Sequence, residues 1–380
     1  MVERTAPAPV AGSRELRRYS RHLLIPEVGL AGQQKLAAAR ILCIGAGGLG
    51  SPVLQYLAAA GVGRLGIMDD DVVDETNLQR QTLFATADIG SSKAQVAAAR
   101  LHALNPHIAV DPIAQRFAHD NARDLVRLYD VVVDCTDRFE TRYLINDACA
   151  FEGKPDVYGS IFRFDGQVSV FARGRGPCYR CLFPQPPPRG TVPTCAEGGV
   201  LGVLPGIVGA LQANEALKLV LGIGESLIGR LMLVDALDAR VREVRIERDP
   251  ACALCGEHPS IFDVAVDDEP DETTDDVPGV REIGWEALDD ELLHATLLDV
   301  REPHEAVLGL LPGSLHVPAS QLEARMHELD SARRYVVACR IGQRSLWAVR
   351  RLREAGFERI AHLRGGLLPY AAHASDVELF

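Results

Sequence analysis

The feature that most constrains the fold is a short apolar run that leads into a glycine-rich turn. The run covers residues 40–45 (RILCIG), and the turn GAGGLG covers residues 45–50. A segment of helical composition follows over 52–60, and a second apolar run over 64–69 ends in an acid, Asp69. Strand, glycine turn, helix and strand form a βαβ unit suited to a nucleotide, because glycines let the backbone approach a phosphate at the helix N-terminus. The pattern predicts an α/β fold with a Rossmann-like, mostly parallel sheet.

Charged residues farther along indicate which nucleotide the unit accommodates. Asp69, at the end of the second strand, is placed to accept hydrogen bonds from ribose hydroxyls. Arg80 and Lys93 follow soon after and would place two cations beside a polyphosphate. Cations that clamp phosphoryl oxygens serve nucleotidyl transfer, whereas hydride transfer does not need them. The pattern favours ATP over NAD, and two solvated surface charges are the alternative interpretation.

A third strand is predicted over residues 129–135 (YDVVVDC), and Asp137 follows it closely. An acid at the carboxyl end of a central parallel strand lies at the ligand crevice. Asp137 is therefore a candidate Mg²⁺ ligand. The alternative is that Asp137 only caps a helix over 138–151.

Four of the nine cysteines form two CxxC pairs, Cys178 with Cys181 and Cys252 with Cys255. Four thiolates in such pairs make a closed tetrahedral site for a structural Zn²⁺. The separation of 71 positions from Cys181 to Cys252 exceeds the spacing of a simple zinc ribbon. A redox pair and ordinary core cysteines are therefore alternatives to the zinc site.

The formal net charge of −12 is concentrated in one stretch of the chain. Ten acids lie between Arg248 and Arg281, and no Lys or Arg separates them. Because residues 263–278 of this stretch are poor in large apolar side chains, we predict a flexible acidic linker over 261–280. It would join an N-terminal domain, 1–260, to a C-terminal domain, 281–380. An acidic loop inside one domain is the alternative.

Composition also excludes several classes of partner. An acidic balance argues against nucleic acid and anionic membranes, because binding to either needs clustered positive charge.

No apolar segment near the N-terminus has the form of a signal peptide. The longest apolar run, 200–211, is short and interrupted by glycine and proline, so no membrane span is predicted. We therefore expect a cytoplasmic protein.

A reactive cysteine is predicted in the C-terminal domain. Cys339 follows an apolar strand over 335–338 and opens the loop 339–344 (CRIGQR), after which a helix is predicted. A loop before a helix N-terminus, with arginines on both sides, is an anion-binding nest that favours a thiolate or persulfide. An ordinary buried cysteine is the alternative. Asp299 and Arg301, at the end of a neighbouring strand, are expected to support the site.

The N-terminal motifs GAGGLGS, DDDVVDETNLQRQ, DIGSSKA and DCTDRFETRYLIND resemble the MoeB/ThiF family over about residues 14–255. Members of this family use Mg-ATP to adenylate the C-terminal glycine of a small ubiquitin-like sulfur-carrier protein. The resemblance implies Mg²⁺ at Asp137, catalytic roles for Arg80 and Asp137, and zinc at the two CxxC pairs. The residues implied to bind the nucleotide are Gly45, Gly47, Gly48, Asp69, Asp71, Asn77, Arg80, Lys93, Asp137 and Arg138.

Two further catalytic residues are implied by the same resemblance. Arg21, in the segment RRYSRH, resembles an arginine that the family inserts into the ATP site of the neighbouring subunit, which implies a homodimer. Cys195, in the loop 193–199, resembles a loop cysteine that some members use for a covalent acyl or persulfide link. A spectator thiol is the alternative for Cys195.

The C-terminal motifs DVRE, PGSLHVP, CRIGQRS and LRGG resemble a rhodanese domain over about residues 279–380. The six-residue loop that begins with Cys339 has the length typical of sulfur-transferring members, whereas the related phosphatases have a longer loop. A cysteine phosphatase is therefore the less favoured alternative. We interpret His304, His316 and His362 as surface or structural residues rather than ligands.

The two resemblances together imply a MoeZ-type adenylyltransferase and sulfurtransferase. ATP would activate the C-terminal Gly-Gly of a carrier, and a Cys339 persulfide would convert it to a thiocarboxylate. Thiosulfate or a cysteine desulfurase would supply the sulfur, and the carrier could serve molybdopterin, thiamine, cysteine or tRNA thiolation. Three alternatives stay open: a rhodanese domain that only binds or regulates, a plain sulfurtransferase, and an NAD-dependent oxidoreductase with an appended redox domain.

Overall fold

The structure is a computed structural model that describes residues 13–187, 199–264, 280–307 and 309–373. The contacts divide the chain into two compact units, one with the described residues up to 264 and one with those from 280. Cys195 and residues 265–279, most of the predicted linker, lie outside the described residues.

An eight-stranded sheet organises the described part of the first unit. Its strands are, in chain order, β1 (Arg40–Ile44), β2 (Arg64–Met68), β3 (Ala109–Ile113), β4 (Val131–Asp134), β5 (Asp156–Phe162), β6 (Asp165–Phe171), β7 (Arg230–Asp235) and β8 (Arg240–Arg245). They lie side by side in the order β3-β2-β1-β4-β5-β6-β7-β8. The strands from β3 to β5 pair in parallel, and β6, β7 and β8 continue the sheet antiparallel. The predicted mostly parallel α/β sheet is confirmed.

Helices connect these strands. In chain order they are α1 (Ser13–Arg18), α2 (Ser20–Leu23), α3 (Gly29–Ala38), α4 (Gly50–Ala60), α5 (Lys93–Leu104), α6 (His119–Arg127), α7 (Phe139–Glu152), α8 (Tyr179–Leu182) and α9 (Leu204–Leu221), with 3-10 turns at Glu75–Asn77 and Thr86–Asp88. No helix in the described part of the chain is both long and apolar enough to cross a membrane.

Residues of β1 alternate between two apolar layers, one on each face of the sheet. Ile41 and Cys43 pack in one layer, and Leu42 and Ile44 pack in the other. All four side chains are at most 2% exposed, as expected for a central parallel strand that is covered on both faces. From β1 the chain adds β2 and then β3 on one side of the sheet, and it then returns to add β4 and β5 on the other side. The direction of strand order therefore reverses between β1 and β4. Ligands of open α/β sheets bind at such a reversal, at the carboxyl ends of the strands.

The glycine turn after β1 needs glycine at two positions for steric reasons. Gly45 has φ of +95°, in the left-handed region, and a Cβ there would lie 2.8 Å from the carbonyl oxygen of Cys135. A Cβ on Gly50 would lie 2.0 Å from the carbonyl oxygen of Gly45. The turn is therefore closed tightly against β4, and α4 begins directly at Gly50.

A smaller parallel sheet organises the described part of the second unit. Its strands are β9 (Arg281–Ile283), β10 (Thr296–Asp299), β11 (Leu315–His316), β12 (Tyr335–Ala338) and β13 (Ile360–Leu363). They lie in the order β11-β10-β12-β13-β9, and every neighbouring pair is parallel. The helices are α10 (Leu288–Leu292), α11 (Pro303–Ala306), α12 (Leu322–Arg325), α13 (Gln343–Glu354) and α14 (Leu367–His373), with 3-10 turns at Trp285–Ala287, Ala319–Gln321 and Met326–Glu328. β12 is central and buried, and it ends immediately before Cys339.

Candidate active sites

A cleft of the first unit lies where the glycine turn after β1 meets the segments that follow β2 and β4. All ten residues that the sequence associates with a nucleotide line this cleft, namely Gly45, Gly47, Gly48, Asp69, Asp71, Asn77, Arg80, Lys93, Asp137 and Arg138. They come from segments up to 93 residues apart in the chain. The parallel sheet brings them together because the carboxyl ends of its strands share one edge.

Asp69 ties the glycine turn to the end of β2. Its Oδ2 accepts a hydrogen bond from the Ala46 N–H at 2.7 Å, and its Oδ1 accepts one from the Asp71 N–H at 2.9 Å. Burial raises the pKa of the Asp69 carboxyl, although both hydrogen bonds oppose this effect. The side chain is 9% exposed. Asp69 therefore holds the shape of the turn and also faces the cleft.

Two of the cations in the cleft are held in place by acceptors. Lys93, the first residue of α5, is 5% exposed, and its Nζ donates to Asp71 Oδ2 at 2.8 Å. Arg80 Nη1 donates to the Thr76 carbonyl oxygen at 3.1 Å. The Arg80 side chain also lies against the turn, 3.6 Å from where a Cβ on Gly48 would be. The charges of Lys93 and Arg80 are thus positioned at the cleft before any ligand binds.

Asp137 lies in the segment between β4 and α7 and is exposed in the cleft. The N-cap of α7 is Arg138, with φ −97° and ψ 130°, and no side chain caps that helix. The alternative interpretation, in which Asp137 only caps this helix, is therefore wrong. Asp134, which is 1% exposed, shapes the segment, since its Oδ1 accepts hydrogen bonds from the N–H and the hydroxyl of Thr136.

Arg142 is a residue of the cleft to which sequence reasoning assigned no role. Its Nη2 donates to the Thr136 carbonyl oxygen at 3.1 Å, and its guanidinium lies over the rings of Phe139 and Tyr158 at 5.3 and 5.6 Å. It is 6% exposed. The sequence feature that could have indicated a role is its place inside the motif DCTDRFETRYLIND. This arginine lies in α7, a helix that packs on the sheet. Other lining residues without an assigned role include Gln81, Gln115, Arg116, Phe117, Thr141 and Ile161.

Oxygen donors in the cleft suit a divalent cation. Asp69, Asp70 and Asp71 can each bring one carboxylate oxygen within 4.8 Å of the others, and Asp137 adds a carboxylate to the same cleft. Mg²⁺ is held in proteins by one or two carboxylates together with phosphate oxygens and water. The donor set therefore fits Mg²⁺ bound with a nucleotide polyphosphate.

The two CxxC pairs meet in the first unit. Cys178 Sγ lies 3.9 Å from Cys181 Sγ and 3.6 Å from Cys252 Sγ, and Cys181 Sγ lies 3.3 Å from Cys255 Sγ. Four sulfurs around a tetrahedral zinc ion, at the usual Zn–S length, are about 3.8 Å apart. All four sulfurs lie within 4.8 Å of one another. The cluster has the donors and the spacing that a structural Zn²⁺ requires.

Cys339 is fully buried where β12 ends. Its Sγ accepts a hydrogen bond from the Gly342 N–H at 3.1 Å, and the Ser345 hydroxyl lies 3.5 Å from the same sulfur. Gly342, with φ of +98°, is the N-cap of α13. The loop therefore points a backbone N–H and the N-terminal end of a twelve-residue helix at this sulfur, an arrangement that stabilises an anion.

Ion pairs brace the segments around the Cys339 loop. The guanidinium of Arg301 forms a fully buried pair with Asp299, with Nη2 2.7 Å from Oδ2. Arg344 donates from Nη2 to Glu305 Oε1 at 2.7 Å and from Nη1 to Oε2. Despite the opposing effect of burial, the Arg344 guanidinium holds the pKa of the Glu305 carboxyl below its usual value. These contacts join α11 to the first turn of α13 and hold Arg301 against the last residue of β10.

Two further residues, Arg21 and Cys195, are implied by the family resemblance to act in catalysis. Arg21 is exposed on the short helix α2 and is not among the described residues that line the cleft of its own chain. That position is compatible with a role in a neighbouring subunit. Cys195 lies outside the described residues.

Comparison with known proteins identifies the family of the chain. Residues 19–254 match the model of the ThiF family. The chain belongs to the ThiF family. Residues 282–373 of this ThiF-family chain match the model of the rhodanese-like domain.

Two relatives match the chain over different shares of its length. The chain is 44% identical over 375 residues to the probable adenylyltransferase/sulfurtransferase MoeZ of Mycobacterium tuberculosis, which covers 96% of this chain and 95% of that protein. It is 53% identical over 251 residues to the sulfur carrier protein adenylyltransferase of Thermus thermophilus, covering 65% of this chain and 93% of that one. The ThiF family prediction is confirmed, and so is the prediction of an enzyme that is both an adenylyltransferase and a sulfurtransferase.

A solved structure shares the fold of the ThiF-family unit. The crystal structure of E. coli MccB with ATP has a TM-score of 0.56 and 24% sequence identity, and the match covers 64% of this chain and 75% of that one. At this identity the similarity concerns the fold alone. It agrees with the open, mostly parallel sheet described above.

Proposed function

We propose that the first unit uses ATP to activate the C-terminal glycine of a ubiquitin-like sulfur carrier. One observation carries this proposal: ten residues of the adenylation motifs line a single cleft at the strand-order reversal of the sheet. The carrier carboxylate would attack the α-phosphate, forming an acyl-adenylate and releasing pyrophosphate. The Thermus thermophilus relative, named a sulfur carrier protein adenylyltransferase, supports a substrate of this class.

Residues of the cleft would hold the reacting groups in place. Lys93 and Arg80 would neutralise phosphate oxygens, and preorganised cations of this kind stabilise the charge that develops during transfer. Mg²⁺ would be held by Asp137 and by phosphate oxygens, and it would supply further charge neutralisation. Asp69 would accept ribose hydroxyl hydrogen bonds. Arg21 would enter the cleft from a second copy of the chain, which makes a homodimer part of the proposal.

The second unit would deliver the sulfur. The Cys339 thiolate attacks the outer sulfur of a donor such as thiosulfate, and the electron pair of the broken S–S bond leaves with sulfite. The resulting persulfide then attacks the acyl-adenylate and expels AMP, which leaves an acyl disulfide. A second thiol, proposed to be Cys195, attacks that disulfide and releases the carrier thiocarboxylate. A dithiol reductant must then reopen the cysteine–cysteine disulfide that remains. A cysteine desulfurase is the second candidate for the sulfur donor.

The experiment that tests this function follows the mass of the carrier. The protein is incubated with ATP, Mg²⁺, thiosulfate, a dithiol and a carrier that ends in Gly-Gly. We expect intact-mass analysis to show sulfur in place of one oxygen at the carrier terminus, only when ATP is present. ATP–pyrophosphate exchange without any gain of sulfur would contradict the sulfur-transfer step, and the absence of exchange with every carrier would contradict the adenylation step.

Zinc at the four cysteines is proposed to be structural, and replacing one ligand tests this role. Cys252→Ser should lose the bound zinc and lower the melting temperature, because zinc binding contributes to folding free energy. We expect a loss of at least about 3 kcal/mol, since the site closes a large loop of the chain. Zinc content by mass spectrometry and thermal unfolding measure the two effects.

Cys149→Ala is the matched control for the zinc experiment. Cys149 is 2% exposed and is not part of the four-sulfur cluster. The control should keep one zinc per chain and lose only packing energy, about 1 kcal/mol. A Cys252→Ser protein with undiminished zinc would overturn the assignment.

A further inference from the structure

A histidine buried next to the Cys339 loop has no role in the proposed reaction. His362 lies on β13, is 5% exposed, and is paired across the sheet with Glu282 of β9. Its Nδ1 lies 3.1 Å from Glu282 Oε1. Its Nε2 lies 2.9 Å from the Gly342 carbonyl oxygen and 3.1 Å from Ser345 Oγ. The imidazole therefore joins strand β9 to the residues that surround the Cys339 sulfur.

The direction of these hydrogen bonds follows from the groups that face the ring. A carbonyl oxygen and a carboxylate oxygen can only accept. An imidazole that carries a proton on both ring nitrogens donates from Nε2 to the Gly342 carbonyl oxygen and from Nδ1 to Glu282 Oε1, and in this form it makes an ion pair with the Glu282 carboxylate. The carboxylate of Glu282 fixes the orientation of the ring, as carboxylates do for functional histidines elsewhere.

Three donors meet at the Gly342 carbonyl oxygen, which has only two lone pairs. The Leu346 N–H lies 3.0 Å from this oxygen, His362 Nε2 lies 2.9 Å away, and the Ser345 hydroxyl lies 2.8 Å away. The first two donors are held by the helix and by the imidazole. The Ser345 hydroxyl can rotate, and its other acceptor is Cys339 Sγ at 3.5 Å. When the Leu346 N–H and His362 Nε2 both donate to the Gly342 carbonyl oxygen, its two lone pairs are used. The Ser345 hydroxyl then donates its proton to the Cys339 sulfur instead.

We propose that His362, oriented by Glu282, is a positioning residue that directs the Ser345 hydroxyl to donate a hydrogen bond to Cys339 Sγ. This inference rests on the proposed function of Cys339 as the sulfur carrier of the second unit. When sulfur passes to a small nucleophile such as cyanide, the nucleophile attacks the outer persulfide sulfur. The S–S bond breaks, and its electron pair returns to Sγ as a thiolate. A hydrogen bond to that leaving thiolate lowers the barrier, because it is stronger to the charged product than to the persulfide.

Steady-state transfer of sulfur from thiosulfate to cyanide by the full chain tests the proposal. In His362→Asn we expect kcat to fall about tenfold, the effect of one hydrogen bond that strengthens in the transition state. KM for thiosulfate should stay within about twofold, because the Gly342 N–H and the helix N-terminus are still present. His362→Gln should recover most of kcat, since its longer amide can reach the Gly342 carbonyl. Glu282→Gln should give an intermediate kcat.

Two further variants distinguish a failure of this inference from a failure of the proposed function of Cys339. His327→Asn replaces an exposed histidine of the same unit and should equal the wild type. Cys339→Ala should abolish transfer; if it does not, the proposed function of Cys339 fails, and this inference fails with it. If Cys339→Ala is inactive and His362→Asn equals the wild type, only this inference is overturned. Equal losses in His362→Gln and His362→Asn, or a loss explained by KM, would show a purely structural role.

Discussion

Cys339→Ser should lose thiocarboxylate formation while it retains adenylation. A serine hydroxyl fits the buried site and can still accept from the Gly342 N–H, but it cannot form a persulfide. We expect the rate of thiocarboxylate formation with thiosulfate to fall by about a thousandfold or more, the scale of losing a covalent nucleophile. ATP–pyrophosphate exchange should remain within about twofold of the wild type, because the nucleotide cleft belongs to the other unit. The measurements are intact mass of the carrier and isotope exchange.

The control for this variant is Cys149→Ala, a buried cysteine outside both sites. It should keep exchange and thiocarboxylate formation near wild-type levels. Thiocarboxylate formation by Cys339→Ser at the wild-type rate would contradict the transfer role. It would favour the alternative in which the rhodanese-like unit only binds or regulates.

Lys93→Ala should have the reverse effect, a loss of adenylation without a loss of sulfur transfer to cyanide. The Lys93 ammonium is buried at the cleft and is held by Asp71, so its charge is oriented in advance. Removing one such preorganised group typically slows the chemical step by about 10²–10³. We therefore expect ATP–pyrophosphate exchange to fall by roughly that factor. The fold should persist, because the partner carboxylate of Asp71 is 66% exposed and stays solvated.

Lys154→Met provides the matched control for Lys93. Lys154 follows α7 and is not among the described residues that line the cleft. Its loss should leave exchange within about twofold of wild type. Exchange in Lys93→Ala within a similar range would show that Arg80, Mg²⁺ and the other cations of the cleft suffice without Lys93. That outcome would contradict the role assigned to it.

Much of the first unit was predictable because its signals are local. The turn GAGGLG needs glycine where a Cβ would meet the Cys135 and Gly45 carbonyls, and such steric requirements are visible in a short segment. The alternation of Ile41 and Cys43 against Leu42 and Ile44 likewise follows from the period of a strand. The sequence left two roles open for Asp137, because a carboxylate that follows a strand can act as a metal ligand or as a helix cap. Only the backbone of α7 showed that Arg138 is the cap.

Residues whose roles depend on distant partners could not be predicted in this way. Arg142 was part of a recognised motif, but its position beside Thr136, Phe139 and Tyr158 depends on the packing of α7 on the sheet. His362 was interpreted as a surface or structural residue. It is buried, and its neighbours Glu282 and Ser345 lie 80 and 17 positions away in the chain.

The sequence by itself determined the two α/β domains, the family, and the identities of the residues that carry charge and sulfur. It could do so because glycine turns, CxxC pairs and loop cysteines act through the local backbone. The tertiary structure alone decided which of these residues meet: ten around one cleft, four sulfurs within 4.8 Å, and a histidine beside the Cys339 loop. The physical reason is that parallel strands bring segments from distant parts of the chain to one edge of a sheet. A hydrogen bond or a metal site depends on distances of a few ångströms that no sequence spacing specifies.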